Sequence, residues 1–242
     1  MSDENSLRKK NLQCLLTPTD EQRFELFLMT VKERSSDAEY RKYVDDYLEK
    51  VDPATLLVSL YDHNQLVAVG YTLDEIVDKG VSLSADAILG YETKEHENVY
   101  WMEHRRNSKS LYVCAMHAGI MLGHFSITPV LSAEALEFLK NERTETGFTI
   151  VPAADLEKKS HYLYISAVVI RPVFRDSVIA TRIIRRGHRL VSRHLASKPF
   201  ACGCFAEAYS PSGRRLCELF SMHNIEGNFF IKKSECMDDN QV

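Results

Sequence analysis

The sequence predicts an α/β protein, and two observations carry the prediction. In HYLYISAVVIRPVFRDSVIATRIIRRGHRLVSRHL (161–195) the apolar residues change period part-way along. Tyr162 to Ile170 form a β-branched and aromatic run suited to a buried strand, and Pro172 stops it because proline has no N–H for a ladder. Beyond the loop VFRDSV, Ile179/Ala180, Ile183/Ile184, Gly187, Leu190/Val191 and Leu195 recur every three or four positions, which is one face of a helix. Arg182, Arg185, Arg186, Arg189 and Arg193 occupy the other face. The second observation is that the N-terminal third carries helical spacing, interrupted by two short apolar runs.

In chain order, Thr19 or Asp20 caps a helix whose apolar positions are Phe24, Phe27, Leu28 and Val31. DAEYRKYVDDYLEKV follows with Tyr40, Tyr43/Val44, Tyr47/Leu48 and Val51 on one side, and Asp52-Pro53 ends it. LLVSLYDHNQLVAVGYTL holds two apolar runs around Asp62-His63-Asn64-Gln65, a hairpin-like arrangement, although a buried helix is open for either run. Asp74 to Ile88 fits helix or strand.

Composition sets bounds. A chain of 242 residues with 45% hydrophobic and 26% charged residues is a globular protein able to bury a sizeable core. No apolar run is long enough to cross a bilayer, and MSDENSLRKK does not read as a signal peptide, so the expected compartment is the cytoplasm. Six cysteines (14, 114, 202, 204, 217, 236) include no CxxC pair; Cys202-Gly-Cys204 would place both thiols on one strand face, and free core thiols are expected rather than a metal site. The net charge of −4 is uneven: residues 1–100 hold 20 acidic against 11 basic side chains, and residues 101–242 hold 14 against 19. The first part is thus an acidic, mainly helical segment.

A strand–loop–helix junction suits an anion, because the first helical N–H groups lack internal partners and the macrodipole adds positive charge. Here the chain resembles the GNAT (Gcn5-related) N-acetyltransferases. Their pattern is a strand, then Arg/Gln-x-x-Gly-x-Gly/Ala, then a helix; Arg175-Asp176-Ser177-Val178-Ile179-Ala180 stands in that place, with Val178 where the family has glycine. The resemblance runs from about residue 92 to 230. A charged helix from Glu92 would lead to a strand Leu111–Met116, a His117-Ala118-Gly119 turn, and a strand Ile120–Ile127 ending at Pro129. SAEALEFLKNERTETGFTIVPAADL would be a helix and polar connection whose Glu134, Glu137, Glu142 and Glu145 read as a solvated face. Phe200–Ala208 would be a strand, and Ser210-Pro211-Ser212 would start a helix packing through Leu216, Leu219 and Phe220, with Ser221 where the family has glycine.

The resemblance implies a mixed, mainly antiparallel sheet flanked by helices, with residues 91–242 as an acyl-CoA-binding domain following the 1–90 segment. It also implies acetyl transfer from acetyl-CoA, as co-substrate, to an amine of unspecified identity. The backbone of Val168, Val169 and Ile170 would hold the pantetheine arm and thioester, and main-chain N–H groups of Arg175, Asp176, Ser177, Val178, Ile179 and Ala180 the pyrophosphate. A glutamate often found near the start of the central strand corresponds to Tyr164, and a tyrosine that protonates the departing thiolate corresponds to Cys217. Glu207 as a base through water and Tyr209 as acid are the other catalytic candidates, with His124 and His161 as further titratable groups. Two other function classes stand beside the enzyme: a catalytically degenerate binding or regulatory module, and nucleic-acid binding through the Arg face. No aromatic interleaving, zinc spacing or helix-turn-helix accompanies that face, so a solvated helix, or by the resemblance one near the CoA 3′-phosphate, is the simpler reading.

Overall fold

Capping explains most of the helices that precede β2. A computed structural model of the chain describes residues 20–88, 100, 102 and 111–234. Helix α1 (Asp20–Arg34) is followed by α2 (Asp37–Leu48), which starts at a capping box in which Ser36 and Glu39 satisfy each other's backbone N–H. Leu28, Val44 and Leu48 are their buried residues, whereas Phe27 is 48% exposed, so the inner face of α1 is narrower than its spacing implies. Thr19, Cys14, Cys236 and the charged helix expected from Glu92 lie outside the described residues.

The Asp62-His63-Asn64-Gln65 segment is not a hairpin turn. Strand β1 (Ser59–Asp62) runs directly into α3 (His63–Ala68), because Asp62 and Gln65 form another capping box. A third box, Thr72 with Glu75, starts α4 (Leu73–Ala87) and resolves Asp74–Ile88 as helix. These S/T/D-x-x-E/Q signatures are legible in the sequence and mark helix starts that hydrophobic period alone leaves open.

Among the described residues the sheet has seven strands, in the order β1-β2-β3-β4-β5-β7-β6. They are β2 (Leu111–His117), β3 (Ile120–Leu131), β4 (His161–Ile170), β5 (Ala201–Glu207), β6 (His223–Glu226) and β7 (Phe229–Lys233). Only β4 and β5 pair in parallel, so the sheet is mixed and mainly antiparallel, as expected. β3 continues through Pro129 instead of ending there. Among the described residues its ladder with β2 reaches only Ile127, so proline interrupts no bond there, and the Pro129 carbonyl accepts from Val151 N–H at 2.8 Å. The closing β6–β7 hairpin is an element that the apolar pattern of the sequence does not announce.

Helix α5 (Ser132–Leu139) and the polar connection after it lie between β3 and β4. Helices α6 (Val178–Ser197) and α7 (Pro211–Leu219) complete the fold. One side of the sheet buries Phe125, Ile127, Leu163, Ile165, Cys204 and Ala206 with Ile179, Ile183 and Val191 of α6. On the other side α5 covers Tyr162, Tyr164, Cys202 and Phe205, while α4 covers Tyr112, Cys114, Met121 and Val169. Cys202 and Cys204 therefore fall in different cores rather than on one strand face. The cause is a register shift between β4 and β5 at Gly203, whose φ of +150° suits only glycine and whose added Cβ would sit 2.1 Å from the Lys232 carbonyl oxygen. On α7 the packing face is Cys217 and Phe220, not Leu219, which is 67% exposed.

Candidate functional site

The site is built from a break in the sheet. β4 and β5 pair only from His161↔Ala201 to Tyr164↔Phe205; β4 then runs on to Ile170 while β5 stays with β7 through Glu207↔Phe229. At the same level β4 carries one extra residue, Ser166, between Ile165↔Ile127 and Ala167↔Ser126. A bulge bends its strand and sharpens the local twist, which swings the end of β4 away from β5. Beyond Tyr164 the β5-facing edge of β4 thus has no strand partner among the described residues. Arg171 N–H donates to the Leu122 carbonyl on the β3 side at 2.9 Å, so backbone alternation turns the N–H groups of Val168 and Ile170 to the open edge.

The open edge leads to the start of α6. Pro172–Phe174 form a 3-10 turn, and Ser177 caps α6 by accepting from Ile179 N–H at 3.2 Å while donating to the Phe174 carbonyl at 2.7 Å. Of the six residues Arg175 to Ala180, three N–H groups are spent inside the loop: Arg175 on Pro172, Ser177 on Phe174, and Ile179 on Ser177. Those of Asp176, Val178 and Ala180 have no hydrogen bond among the described residues. The Arg175 guanidinium donates to the Ala87 carbonyl at the C-terminus of α4, where the helix dipole favours a cation. Val178 takes a helical backbone, since among the described residues the positive-φ positions other than glycine are Ala118, Asn141 and Ser221. Its side chain is 56% exposed.

At the mouth of the break three of the four catalytic candidates come together. Tyr164 is the last residue of β4 paired with β5, is buried, and stacks on Phe205 at 4.9 Å between ring centroids. Burial, with the Glu145 carboxylate beside it, holds its phenol well above the usual range. Tyr209 donates to Glu207 Oε2 at 2.6 Å. Burial of the hydroxyl end and the hydrogen bond to Glu207 raise the Tyr209 pKa, although the residue as a whole is 72% exposed. Cys217 is not part of this group. It faces the α6-side core, and burial pushes its thiol up to about 11. His161 is also remote, paired with His194 in the core, and His124 is buried against Tyr112 on the α4 side.

Glu145 is the residue that sequence reasoning passed over. It begins a 3-10 turn, Glu145–Gly147, whose neighbourhood is fixed by the Tyr100 hydroxyl donating to the Phe148 carbonyl at 2.7 Å. Phe148 packs edge-on to Tyr164 at 5.4 Å, which brings Glu145 to the Tyr164 hydroxyl. Glu134 and Glu137 are structural: Glu134 accepts from Thr149 N–H and hydroxyl, and Arg143 reaches both carboxylates. No sequence signal separates Glu145 from these two, since the distinction arises from a loop folding back over β4.

No family model matches the sequence, and no curated protein matches it. Among solved structures the chain is similar to NAA60 of Arabidopsis thaliana in complex with acetyl-CoA, at 13% identity over 73% of this chain and 99% of that one, with a TM-score of 0.45. The same protein with a bisubstrate analogue gives 12% identity over 75% and 100%, with a TM-score of 0.47. A GNAT family acetyltransferase from Brucella melitensis in complex with acetyl-CoA gives 13% identity over 73% and 88%, with a TM-score of 0.43. No helix among the described residues is long and apolar enough to cross a membrane.

Proposed function

We propose that this chain transfers an acetyl group from acetyl-CoA to an amine. The observation that carries the reading is the separation of β4 from β5 beyond Tyr164 and Phe205, continuous with the free N–H groups at the start of α6. An extended pantetheine arm can pair with the open edge at Val168–Ile170 as a further strand would, and a pyrophosphate fits the N–H groups of Asp176, Val178 and Ala180. The thioester then lies near the split, where an N–H of the β4 edge can donate to its carbonyl oxygen as negative charge develops there.

In the transfer, the amine nitrogen forms the new bond to the carbonyl carbon, the C–S bond breaks, and CoA leaves as thiolate. The surplus proton of the amine passes to Glu207, directly or through one water, and the thiolate takes that proton back through water. Tyr209 is placed to orient Glu207 and to donate a hydrogen bond. Because its phenol is held above the usual range, it is a reluctant full acid, and positioning carries most of the acceleration. A non-catalytic acyl-CoA-binding module is the second reading. The burial of Cys217, at the place where the resemblance puts an acid, favours it.

Calorimetric titration with acetyl-CoA, followed by thiol release with a panel of primary amines, tests both. Binding with turnover supports the transferase, binding without turnover on any amine supports the module, and absence of binding overturns both.

A further inference from the structure

We infer that the outer face of α6 is a docking surface for the phosphate backbone of a nucleic acid. Arg182, Arg185, Arg186, Arg189 and Arg193 are all exposed, and among the described residues none of the five has an ion pair or hydrogen-bonded partner. At 3.6 residues per turn they fall within about 100° of arc, so they form one stripe rather than a scatter. The 20-residue helix carries no Asp or Glu, so no i,i+4 partner neutralises the stripe. The reading of a solvated face, natural from the sequence, leaves that one-sign composition without a cause.

Length and residue type narrow the partner. Arg182 to Arg193 spans about 16 Å of helix axis at 1.5 Å per residue, over which one strand of a duplex presents about five phosphates. Every cation is arginine, whose planar fork suits phosphate oxygens two at a time. A protein partner is a poorer fit. Protein interfaces have an apolar centre depleted of charge, whereas the exposed positions between Arg182 and Arg193 are arginine, His188 and Ser192. A membrane surface is a poorer fit as well, because an interfacial helix must bury its apolar face in lipid. Here Ile179, Ile183 and Val191 are already spent on the sheet.

The stripe points away from the sheet and the break lies beside β4, so this surface stands or falls independently of acetyl transfer. The test is fluorescence anisotropy of a labelled 20-base-pair duplex DNA with the full chain, from 50 to 200 mM salt. Five phosphate contacts predict a log–log salt slope of about −4.5, an affinity loss of about 500-fold over that range. The triple variant Arg185→Gln/Arg186→Gln/Arg189→Gln leaves two contacts, a slope of about −1.8 and a loss of about tenfold. Arg185→Lys/Arg186→Lys/Arg189→Lys keeps the charges and should restore most of the slope, which separates lost charge from lost folding. Absence of binding at 50 mM salt overturns the inference, as does binding that the Gln variant leaves unchanged. Poly-glutamate or phosphatidylserine vesicles binding as tightly as the duplex would also overturn it, in favour of an acidic protein or a membrane.

Discussion

Lowering the pH from 7 to 5 should weaken the folded state by about 2 kcal/mol through His194 alone. The His161 and His194 rings meet Nε2 to Nε2 at 2.8 Å, and His161 Nδ1 lies 2.8 Å from the Lys159 carbonyl. A carbonyl can only accept, so His161 carries its proton on Nδ1, and its bare Nε2 accepts from His194 Nε2–H. A second proton on His161 would set two N–H groups against each other, and one on His194 Nδ1 would put a charge in a site where His161 is wholly buried and His194 is 6% exposed. Burial lowers both pKa values, that of His194 to about 4, with His161 and the Lys198 ammonium adding to burial and Glu157 opposing it. The unfolded ring, at its reference value near 6.5, takes up a proton first as pH falls. This stabilisation is therefore full above about pH 7 and is lost on descending through 6.5 toward 4. Urea melts at pH 7 and pH 5 on the wild type and on His194→Gln, whose amide can still donate to His161, give the difference directly. The wild type should lose about 2 kcal/mol more than the variant. Equal losses in the two proteins would show that His194 is not held neutral by this contact.

Gly187→Ala should destabilise by about 1–2 kcal/mol in urea melts: the new Cβ would sit 2.4 Å from the Phe125 ring, which is buried against Phe220, and the overpacking outweighs about 1 kcal/mol of helix propensity. Tyr209→Phe should lower turnover several-fold with little change in acetyl-CoA affinity, while Cys217→Ala should change stability rather than turnover; steady-state kinetics beside calorimetry separates the two. Asp176→Asn should tighten acetyl-CoA binding at low salt and lose that gain at high salt, because an exposed carboxylate stands beside the N–H groups assigned to the pyrophosphate. Val178→Gly should change affinity less, since Val178 already has a helical backbone and points to solvent; calorimetry at two salt concentrations reads both variants.

What was legible in the sequence was whatever is encoded locally. The strand and helix of 161–195, with the helix's buried and arginine faces, are a change of period and survive intact in β4 and α6. Pro129 and the Asp62–Gln65 segment were misleading because proline and polar runs interrupt structure only when the neighbouring strand or the cap does not accommodate them. Here an open ladder accommodates the proline, and a capping box turns the polar run into a helix start. Ser221 shows the converse: the family resemblance places glycine there, and its φ of +56° explains why, although serine occupies it. Glu145 was illegible because its role comes from a loop that crosses back over β4, a contact with no sequence period. Cys217, which the motif correspondence offers as an acid, lies on α7 with its side chain turned to the core, and a facing direction is not encoded in a motif.

A single rigid element links these features. Gly187 lets α6 approach Phe125 closely, and Ile183 is fully buried beneath it. That inner contact fixes the axis of the helix, and the axis fixes where its first N–H groups stand relative to the free edge of β4. A shift at Phe125 would be carried toward Val178, because sharp kinks arise at proline or a bulge and α6 contains neither. Gly187→Ala is therefore more than a packing test. If the N–H groups at the start of α6 hold the pyrophosphate, the variant should lose acetyl-CoA affinity in calorimetry even under conditions where it remains folded, although residue 187 lies nine positions from Val178. A variant that is destabilised but binds acetyl-CoA as the wild type does would show that helix position and ligand position are uncoupled. The phosphate site would then have to be sought away from α6.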